Sequence, residues 1–207
     1  MIFYWIIYGL FVLMHLILCF IKKEKARKIS KFFLLPLLSI SCVLLKLNNY
    51  FIYFSLLFGW IGDILLIFTD NEKLFVSGLT SFAMGHIFYL IASYYRLVTV
   101  NNIDINVSFI IFFIVLFIVL LISAKLFFAK HLGKLSYLGA VYFYLLFSLC
   151  LLNFYGNYYL SALGFLFFII SDSIIALTKL NRHPPHEDFH IMFTYIIAQT
   201  LVILSFV

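Results

Sequence analysis

FGWIGDILL at residues 58–66 and FFIISDSII at residues 167–175 each place one aspartate, Asp63 or Asp172, inside an otherwise apolar run. Runs of this kind predict helices that cross a membrane. A carboxylate in hydrocarbon costs at least about 2.5 kcal/mol on insertion scales, so it normally faces a protein interior or a wet cavity. Two aspartates in matching contexts therefore predict one shared polar chamber, and both are candidate functional residues.

Composition assigns the chain to the integral membrane proteins. Of its 207 residues, 66% are hydrophobic, 21% are aromatic and only 11% are charged, which leaves too little polar surface for a soluble domain. A helix crosses a bilayer with about 20 apolar residues, and the sequence predicts an all-α protein with eight transmembrane helices in a single domain, 1–207. The predicted spans are 3–21, 32–45, 50–69, 76–95, 107–124, 135–153, 158–177 and 189–206. The second is the weakest, because it is short and contains Pro36.

Basic residues are distributed unevenly between the predicted loops. Twelve of the fourteen fall in the odd-numbered loops, which the positive-inside rule places in the cytoplasm, with both termini outside. This topology and anionic lipid account for the net charge of +6, so no nucleic-acid partner is implied. Abundant Ile, Phe, Tyr, Leu and Asn is typical of an AT-rich genome, and we expect a bacterial plasma membrane protein. The twelve residues are Lys22, Lys23, Lys25, Arg27, Lys28, Lys31, Lys73, Lys125, Lys130, Lys134, Lys179 and Arg182.

The first apolar run is expected to remain as a helix, since it lacks a basic start and a small-residue cleavage site. The three cysteines, Cys19, Cys42 and Cys150, lie within predicted spans. They are odd in number and lack metal-ligand spacing, which predicts buried reduced thiols.

A faint internal repeat relates two pairs of helices. An offset of 109 residues carries Asp63 onto Asp172 and His86 onto Tyr195, with an interval of 23 in each half. This predicts a parallel four-plus-four-helix repeat, and chance similarity between apolar helices is the alternative. Each aspartate is expected about 10 Å from the cytoplasmic end of its helix, so the two can meet. Two carboxylates close together in low dielectric cannot both ionise cheaply, which gives one acid and one anion.

Further polar residues recur at helical spacing in the fourth and eighth spans. His86 and Tyr89 share one helical face, and Tyr195 and Gln199 are stacked four residues apart. These faces are candidates for lining the chamber, although His86, Tyr89 and Tyr195 also fit ordinary helix packing. Gln199 needs hydrogen-bond partners in hydrocarbon, which a neighbouring helix supplies as well as a substrate would.

Four short motifs occur in order along the chain: Gly62-Asp63-x-Leu65-Leu66, Gly78-x3-Phe82-x3-His86-x2-Tyr89, Ser171-Asp172-Ser173 and Tyr195-x2-Ala198-Gln199. Together they resemble the YhhN-like lysoplasmalogenase family of eight-helix membrane hydrolases, over nearly the whole chain. The resemblance implies hydrolysis of the vinyl ether bond of a lysophospholipid within the bilayer. The products would be a fatty aldehyde and a glycerophospho-ethanolamine or -choline, and no metal or organic cofactor would be used. It also implies that Asp63 and Asp172 are the catalytic pair.

The chain departs from that family in its second and sixth helices. A lysine commonly precedes the proline of the second helix, whereas Leu35 precedes Pro36 here, and the proline usual early in the sixth helix is replaced near Ala140. Tyr142 or Tyr144 is expected to keep the polar role of the sixth helix. The departures leave the fold and the acid pair intact, but fold transfers between relatives better than substrate preference does.

The chemistry of vinyl ethers agrees with an acid pair. These ethers hydrolyse by protonation of the alkene carbon that is not bonded to oxygen, which gives an oxocarbenium ion that water captures. One aspartate is expected to donate the proton while the other stabilises the cation and activates water. The residues expected to bind or orient substrate and water are His86, Tyr89, Tyr195, Gln199, Ser171, Tyr142 and Tyr144. The head-group candidates are Lys73, Lys179 and Arg182, which positive-inside placement explains equally well.

Two other functions fit the sequence. HPPHEDFH at residues 183–190 is rich in metal-ligand types, with His186 and His190 four apart, so a zinc-dependent lipid hydrolase is one alternative. A transporter of lipid or small solutes that uses Asp63 and Asp172 as proton-coupling carboxylates is the other. No Ser-His or Cys-His nucleophile has a recognisable motif, so cleavage of esters is not expected.

Overall fold

The computed structural model describes residues 2–68, 71–101, 107–133 and 135–207, and these residues form helices and short turns with no strand among them. A 3₁₀ turn, Leu66–Phe68, follows the third helix, and π-helical Ala124–Phe128 continues the fifth into Ala129–Leu132. The predicted all-α fold class is therefore confirmed for this part of the chain. The helices are α1 (Ile2–Phe20), α2 (Glu24–Leu44), α3 (Tyr50–Leu65), α4 (Glu72–Asn101), α5 (Val107–Ser123), α6 (Leu135–Tyr155), α7 (Tyr159–Lys179) and α8 (Glu187–Ser205).

Within the described ranges, five helices are long and apolar enough to cross a membrane, which makes the chain an integral membrane protein. They are Ile2–Phe20, Glu72–Val100, Leu135–Tyr155, Tyr159–Lys179 and Glu187–Ser205. Tyr50–Leu65 and Ile110–Leu126 are apolar but shorter. The predicted count of eight spans therefore stays a prediction. Thr69, which ended the predicted third span, and Lys134, which belonged to the predicted fifth loop, lie outside the described residues.

Helix α2 differs most from its prediction. The predicted second span was 32–45 with the basic residues before it in a loop, but α2 begins at Glu24 and contains Lys25, Arg27, Lys28 and Lys31. The assignment of these four basic residues to a loop was wrong. Lysine and arginine are good helix formers, and their long side chains can cover apolar surface while the charged ends stay in water. A basic segment can therefore continue a membrane helix.

Small residues bring the helices of two pairs, α3–α4 and α7–α8, into extensive contact. A Cβ added to Gly85 of α4 would lie 3.0 Å from the carbonyl oxygen of Ser55 in α3. One added to Gly164 of α7 would lie 3.0 Å from the carbonyl oxygen of Ala198 in α8. Membrane helices associate through such close contact between small residues. The first helix of each pair carries one of the two predicted catalytic acids.

Helix α6 connects these two pairs, because it packs against both α4 and α7. Helix α2 packs against α3, α1 lies against α2 and α8, and α5 lies against α6. The interior between α3, α4, α6, α7 and α8 is where polar side chains from both halves of the chain can meet.

The guanidinium of Arg96, in α4, links several helices. It donates hydrogen bonds of 2.7 Å to the carbonyl oxygen of Ser205 and to Oδ1 of Asn153. Its central carbon lies 3.5 Å from the ring centroid of Tyr158 and 3.9 Å from that of Phe206. Hydrogen bonds and aromatic faces together satisfy a charge in an apolar environment. Arg96 therefore ties α4 to α6 and to the residues that flank α7 and α8.

Candidate active site

Asp63 and Asp172 line one cavity of about 110 Å³, which we call the aspartate chamber. Its walls come from α2, α3, α4, α6, α7 and α8, and they are largely apolar. The structure thus brings the two predicted acids to a common cavity. The polar and charged residues that line it are Lys31, Asp63, Tyr142, Ser171, Asp172, Lys179 and Tyr195.

Asp63 is held by a cation and a phenol. Only 2% of its side chain is exposed, and Nζ of Lys31 lies 3.3 Å from its Oδ1. The hydroxyl of Tyr195, in α8, donates a hydrogen bond of 2.8 Å to its Oδ2. A buried carboxylate needs both a counter-charge and hydrogen bonds, and these two partners supply them.

Asp172 has a different partner. It is half-buried, and the hydroxyl of Tyr142 in α6 donates a hydrogen bond of 2.7 Å to its Oδ2. The Tyr142 ring meets the ring of His86 edge to face, with 5.4 Å between centroids. Both carboxyl groups accept a hydrogen bond from a phenol, and Asp63 in addition lies 3.3 Å from the ammonium of Lys31, so the surroundings of the two acids differ.

A chain of hydrogen bonds extends from Asp63 into the core. Gln199 donates through Nε2 to the hydroxyl of Tyr195 at 3.4 Å, and the hydroxyl of Tyr89 donates to Oε1 of Gln199 at 2.9 Å. Tyr89 and Gln199 are both buried. Within the part of the chain that the structure describes, neither lines the aspartate chamber. These hydrogen bonds connect Tyr89 and Gln199 to Tyr195, and through it to Asp63.

His86 lies behind the chamber rather than in its wall. Its Nδ1 is 2.8 Å from the carbonyl oxygen of Phe82, one helical turn earlier. Its ring also meets Phe168 edge to face, with 5.1 Å between centroids. Its Nε2 is buried and has no hydrogen-bond partner among the described residues. His86 thus packs against the rings of Tyr142 in α6 and Phe168 in α7.

Ser171 and Tyr144 differ in their relation to the acids. Ser171 lines the chamber, and its hydroxyl donates to the carbonyl oxygen of Ile191 at 3.2 Å, which joins α7 to α8. Tyr144 instead contacts the ring of Phe117 in α5, with 4.9 Å between centroids. Of the two tyrosines proposed for the sixth helix, it is Tyr142 that reaches an aspartate.

Lys31 is the site residue that the sequence reasoning missed. The sequence pattern places it among the basic loop residues that set orientation, but it lies in α2 beside Asp63. The spacing between Lys31 and Leu35 could have indicated this role. Leu35 occupies the position before Pro36 at which the family that the four motifs resemble commonly has lysine, and Lys31 lies four residues earlier. Residues four apart share a helical face, so Lys31 presents an ammonium one turn earlier.

A second cavity, of about 400 Å³, adjoins the chamber, and we call it the charged vestibule. Seven residues line both cavities, among them Lys31 and Lys179. Arg27 forms an ion pair with Asp188 in its wall. The other charged or titratable residues of the vestibule are Lys28, His183 and Glu187.

The three predicted head-group residues are placed differently. Lys179 lines both the chamber and the vestibule, with its Nζ 4.0 Å from the ring centroid of Phe75. Lys73 and Arg182 are exposed, and neither lines the aspartate chamber or the charged vestibule.

The three histidines of the histidine-rich loop, residues 183–190, each contact a different side chain. His183 pairs with Glu187 through Nδ1 and Oε2 at 2.9 Å, and His186 stacks on Phe20 with 4.4 Å between centroids. His190 lies edge to face with Phe189. The described residues contain no group of three or more His, Cys, Asp or Glu side chains placed to hold a metal ion.

A buried serine–histidine contact is a second feature that the sequence motifs did not indicate. Nδ1 of His15 lies 2.7 Å from Oγ of Ser30, and Nε2 lies 3.5 Å from Sγ of Cys19. The Ser30 hydroxyl donates its proton to the carbonyl oxygen of Arg27 at 3.0 Å, so His15 donates to Ser30 and does not act as its base. The cluster therefore links α1 to α2 and is not arranged as a nucleophile and base.

Comparisons with known proteins identify the family of the chain. The model of the YhhN family matches residues 26–206, which include all the residues of the aspartate chamber. The human protein "Lysoplasmalogenase TMEM86A" is 31% identical over 170 residues, which are 74% of this chain and 64% of that protein. The chain thus spans less than two thirds of the length of this relative. No solved structure matches the chain.

Proposed function

The chain belongs to the YhhN family, and we propose that it hydrolyses the vinyl ether bond of lysoplasmalogens by acid catalysis with its aspartate pair. The products are a fatty aldehyde and a glycerophospho-ethanolamine or -choline. The observation that carries the proposal is the meeting of Asp63 and Asp172 at one small cavity with largely apolar walls. The similarity to a human protein named as a lysoplasmalogenase supports the substrate class.

The proposed reaction needs one acid and one base. A carboxylic acid transfers its proton to the alkene carbon that is not bonded to oxygen, and the adjacent carbon becomes part of an oxocarbenium ion. Water adds to that carbon while a carboxylate accepts its proton, which gives a hemiacetal. The hemiacetal then loses the glycerol oxygen as an alcohol and leaves the aldehyde. General acid–base catalysis and electrostatic stabilisation of a cation are the two contributions required.

The unequal partners of the two aspartates support an assignment of roles. Because the ammonium of Lys31 lies 3.3 Å from Asp63, we assign Asp63 as the anion that stabilises the cation and accepts the proton of water. Asp172, whose described partner is the neutral Tyr142, is then the proton donor. Tyr195 orients the Asp63 carboxylate, with Gln199 behind it. This assignment needs no cofactor.

The charged vestibule supports a place for the polar end of the substrate. We assign the phosphate to Lys31 and Lys179, which line both the vestibule and the chamber, with Arg27 and Lys28 nearby. Arginine and lysine bind phosphate through charge-assisted hydrogen bonds. Lys179 is the residue of the predicted head-group set that this proposal retains.

The proposal includes a membrane topology. We place one transmembrane domain of eight spans in a bacterial plasma membrane, with both termini outside. The charged vestibule, lined by residues of α2 and of the α7–α8 connection, then opens toward the cytoplasm. The substrate enters from the bilayer with its head group at that surface.

The test is aldehyde release by the purified protein in detergent, using alkenyl, alkyl and acyl lysophospholipids of equal chain length. We expect aldehyde from the alkenyl lipid alone, because only a double bond conjugated with the ether oxygen gives an oxocarbenium ion on protonation. In deuterated water the rate should fall, and deuterium should appear on the carbon next to the aldehyde. Aldehyde without that deuterium would contradict the mechanism.

The aspartates are tested by Asp63→Asn and Asp172→Asn, with Glu72→Gln at an exposed helix start as the matched control. Each asparagine variant should lose at least about 100-fold in turnover, because an amide is neither a Brønsted acid nor an anion. The control should keep wild-type activity. Since detergent micelles hold no gradient, turnover there also distinguishes the hydrolase from a proton-coupled transporter.

A further inference from the structure

A third cavity, of about 400 Å³, lies between α5, α6 and α7, and we call it the apolar groove. Its wall includes the segment where α5 becomes π-helical at Ala124, an irregularity that is frequent at functional sites. No charged residue lines the groove among the described residues. Its lining includes Leu120 of α5, Phe143 and Phe147 of α6 and Ala176 of α7.

The aspartate chamber lies between the apolar groove and the charged vestibule. Leu135, Gly139, Phe143 and Ala176 line both the chamber and the groove. The vestibule adjoins the chamber through other residues, and it has no lining residue in common with the groove. The order is therefore a charged space, the two acids and an apolar space.

We propose that the apolar groove binds the hydrocarbon chain of the lipid substrate, an inference that rests on the proposed function. In a single-chain ether lipid the reacting bond separates a charged glycerophosphate end from an apolar chain. The three cavities present the same order of chemistry: cations for the phosphate, acids at the ether and an apolar wall for the chain. Each outer cavity also lies within the usual size range of ligand pockets, about 300–1,000 Å³.

Gly139 is the residue we assign to chain-length selection. It lines both the chamber and the groove, and a Cβ built on it would meet no atom within 4 Å. A larger side chain at this position therefore projects into open space without a backbone clash. Because Gly139 lies in α6, such a replacement also improves helix propensity. It should obstruct the passage between the acids and the groove while the helices stay packed.

The experiment compares the wild-type protein with Gly139→Phe and Gly139→Leu on alkenyl lysophospholipids that differ only in chain length. Gly9→Phe is the matched control, because Gly9 is also open to an added Cβ and lies exposed on α1. We expect Gly139→Phe to lower kcat/KM at least roughly tenfold for the long chains relative to the shortest, which is the effect of one methylene excluded from an apolar pocket. Gly139→Leu should have a smaller effect, and Gly9→Phe should leave the length profile unchanged. Retained activity on the shortest chain shows that the variants are folded.

A second readout does not depend on hydrolysis. A saturated alkyl lysophospholipid with a photoreactive group at the chain end should label groove residues of the wild-type protein, such as Leu120 and Phe147, and labelling should fall in Gly139→Phe. Labelling of the groove without aldehyde release from any lipid would overturn the proposed function and keep the chain site. Aldehyde release with an unchanged length profile in Gly139→Phe, or with labelling on other helices, would overturn the chain site alone.

Discussion

Replacement of Lys31 by methionine tests the charge arrangement of the site. Methionine keeps much of the length of the side chain but removes the ammonium that lies 3.3 Å from Asp63. At that separation the attraction between unit charges is about 5 kcal/mol for an effective dielectric constant of about 20. The Lys31 side chain is 18% exposed, so water screens part of this, and about 3 kcal/mol remains, the lower end for breaking a buried ion pair.

This free energy sets the expected loss of activity. Without the counter-charge, the state with an anionic Asp63 rises by about 3 kcal/mol, and its population falls roughly 100-fold. We expect kcat/KM for aldehyde release to fall by that factor in Lys31→Met and to recover in part in Lys31→Arg. Lys25→Met is the matched control, because Lys25 lies exposed on the same helix and lines none of the cavities described above. Near wild-type turnover in folded Lys31→Met would refute the assignment of Asp63 as the anion.

Stability supplies an independent measurement of the same contact. Lys31→Met should lower the free energy of unfolding in detergent, whereas the same change in an Asp63→Asn background should have a much smaller effect, because the charge that Lys31 compensates is already absent. A double-mutant cycle isolates this coupling. Additive losses would mean that Lys31 contributes through packing, and the charge argument would fail.

Three further predictions concern hydrogen bonds seen in the structure. Tyr142→Phe should lower turnover roughly 10- to 100-fold, because it removes a hydrogen bond to the carboxylate that forms as Asp172 gives up its proton, and a hydrogen bond to a charged group contributes about 1.5–3 kcal/mol. Tyr144→Phe should leave turnover unchanged, and equal effects of the two changes would contradict the role given to Tyr142. Ser30→Ala should reduce thermal stability but leave aldehyde release unchanged, and acyl lysophospholipids should stay intact with both the wild-type protein and this variant. If the wild-type protein hydrolyses esters and the variant does not, Ser30 is a nucleophile. Arg96→Met should destabilise the protein by about 3 kcal/mol, because it removes hydrogen bonds and ring contacts, while each folded molecule keeps its activity. Lys46→Met, at an exposed position, should change neither stability nor activity.

The two candidate acids can be identified from the sequence alone, because a charged side chain is unexpected in an apolar run. Asp63 and Asp172 are carboxylates inside long apolar runs, and such a conflict is visible without a structure. The helices are likewise predicted by hydrophobic runs that exceed the length of ordinary core helices. Their partners are harder to predict, because a contact between helices distant in the chain leaves no mark in either helix alone.

Lys31 and Tyr142 illustrate the two ways in which the partners escape prediction. Lys31 lies among basic residues whose abundance the positive-inside rule already explains, so its individual contact with Asp63 is hidden by a general cause. Tyr142 and Tyr144 are two residues apart, which places them on different faces of α6, and choosing between them requires the packing of α6 against α7. His86 shows the converse: its polarity suggested the chamber, but the structure places it behind Tyr142.

The predicted repeat gives a reason for the unequal aspartates. The offset of 109 that relates Asp63 to Asp172 carries Lys31 onto Ala140, and it carries Phe33 onto Tyr142. The helix that precedes each acid-bearing helix therefore has a cation in one half and a phenol in the other, two residues apart in repeat register. A symmetric pair of halves would give two equivalent acids that compete for one proton. Under the predicted repeat, the difference between α2 and α6 at these positions would break that equivalence. The proposed reaction makes use of such a difference, because protonation of a vinyl ether carbon requires one protonated and one charged carboxyl group at the same cavity.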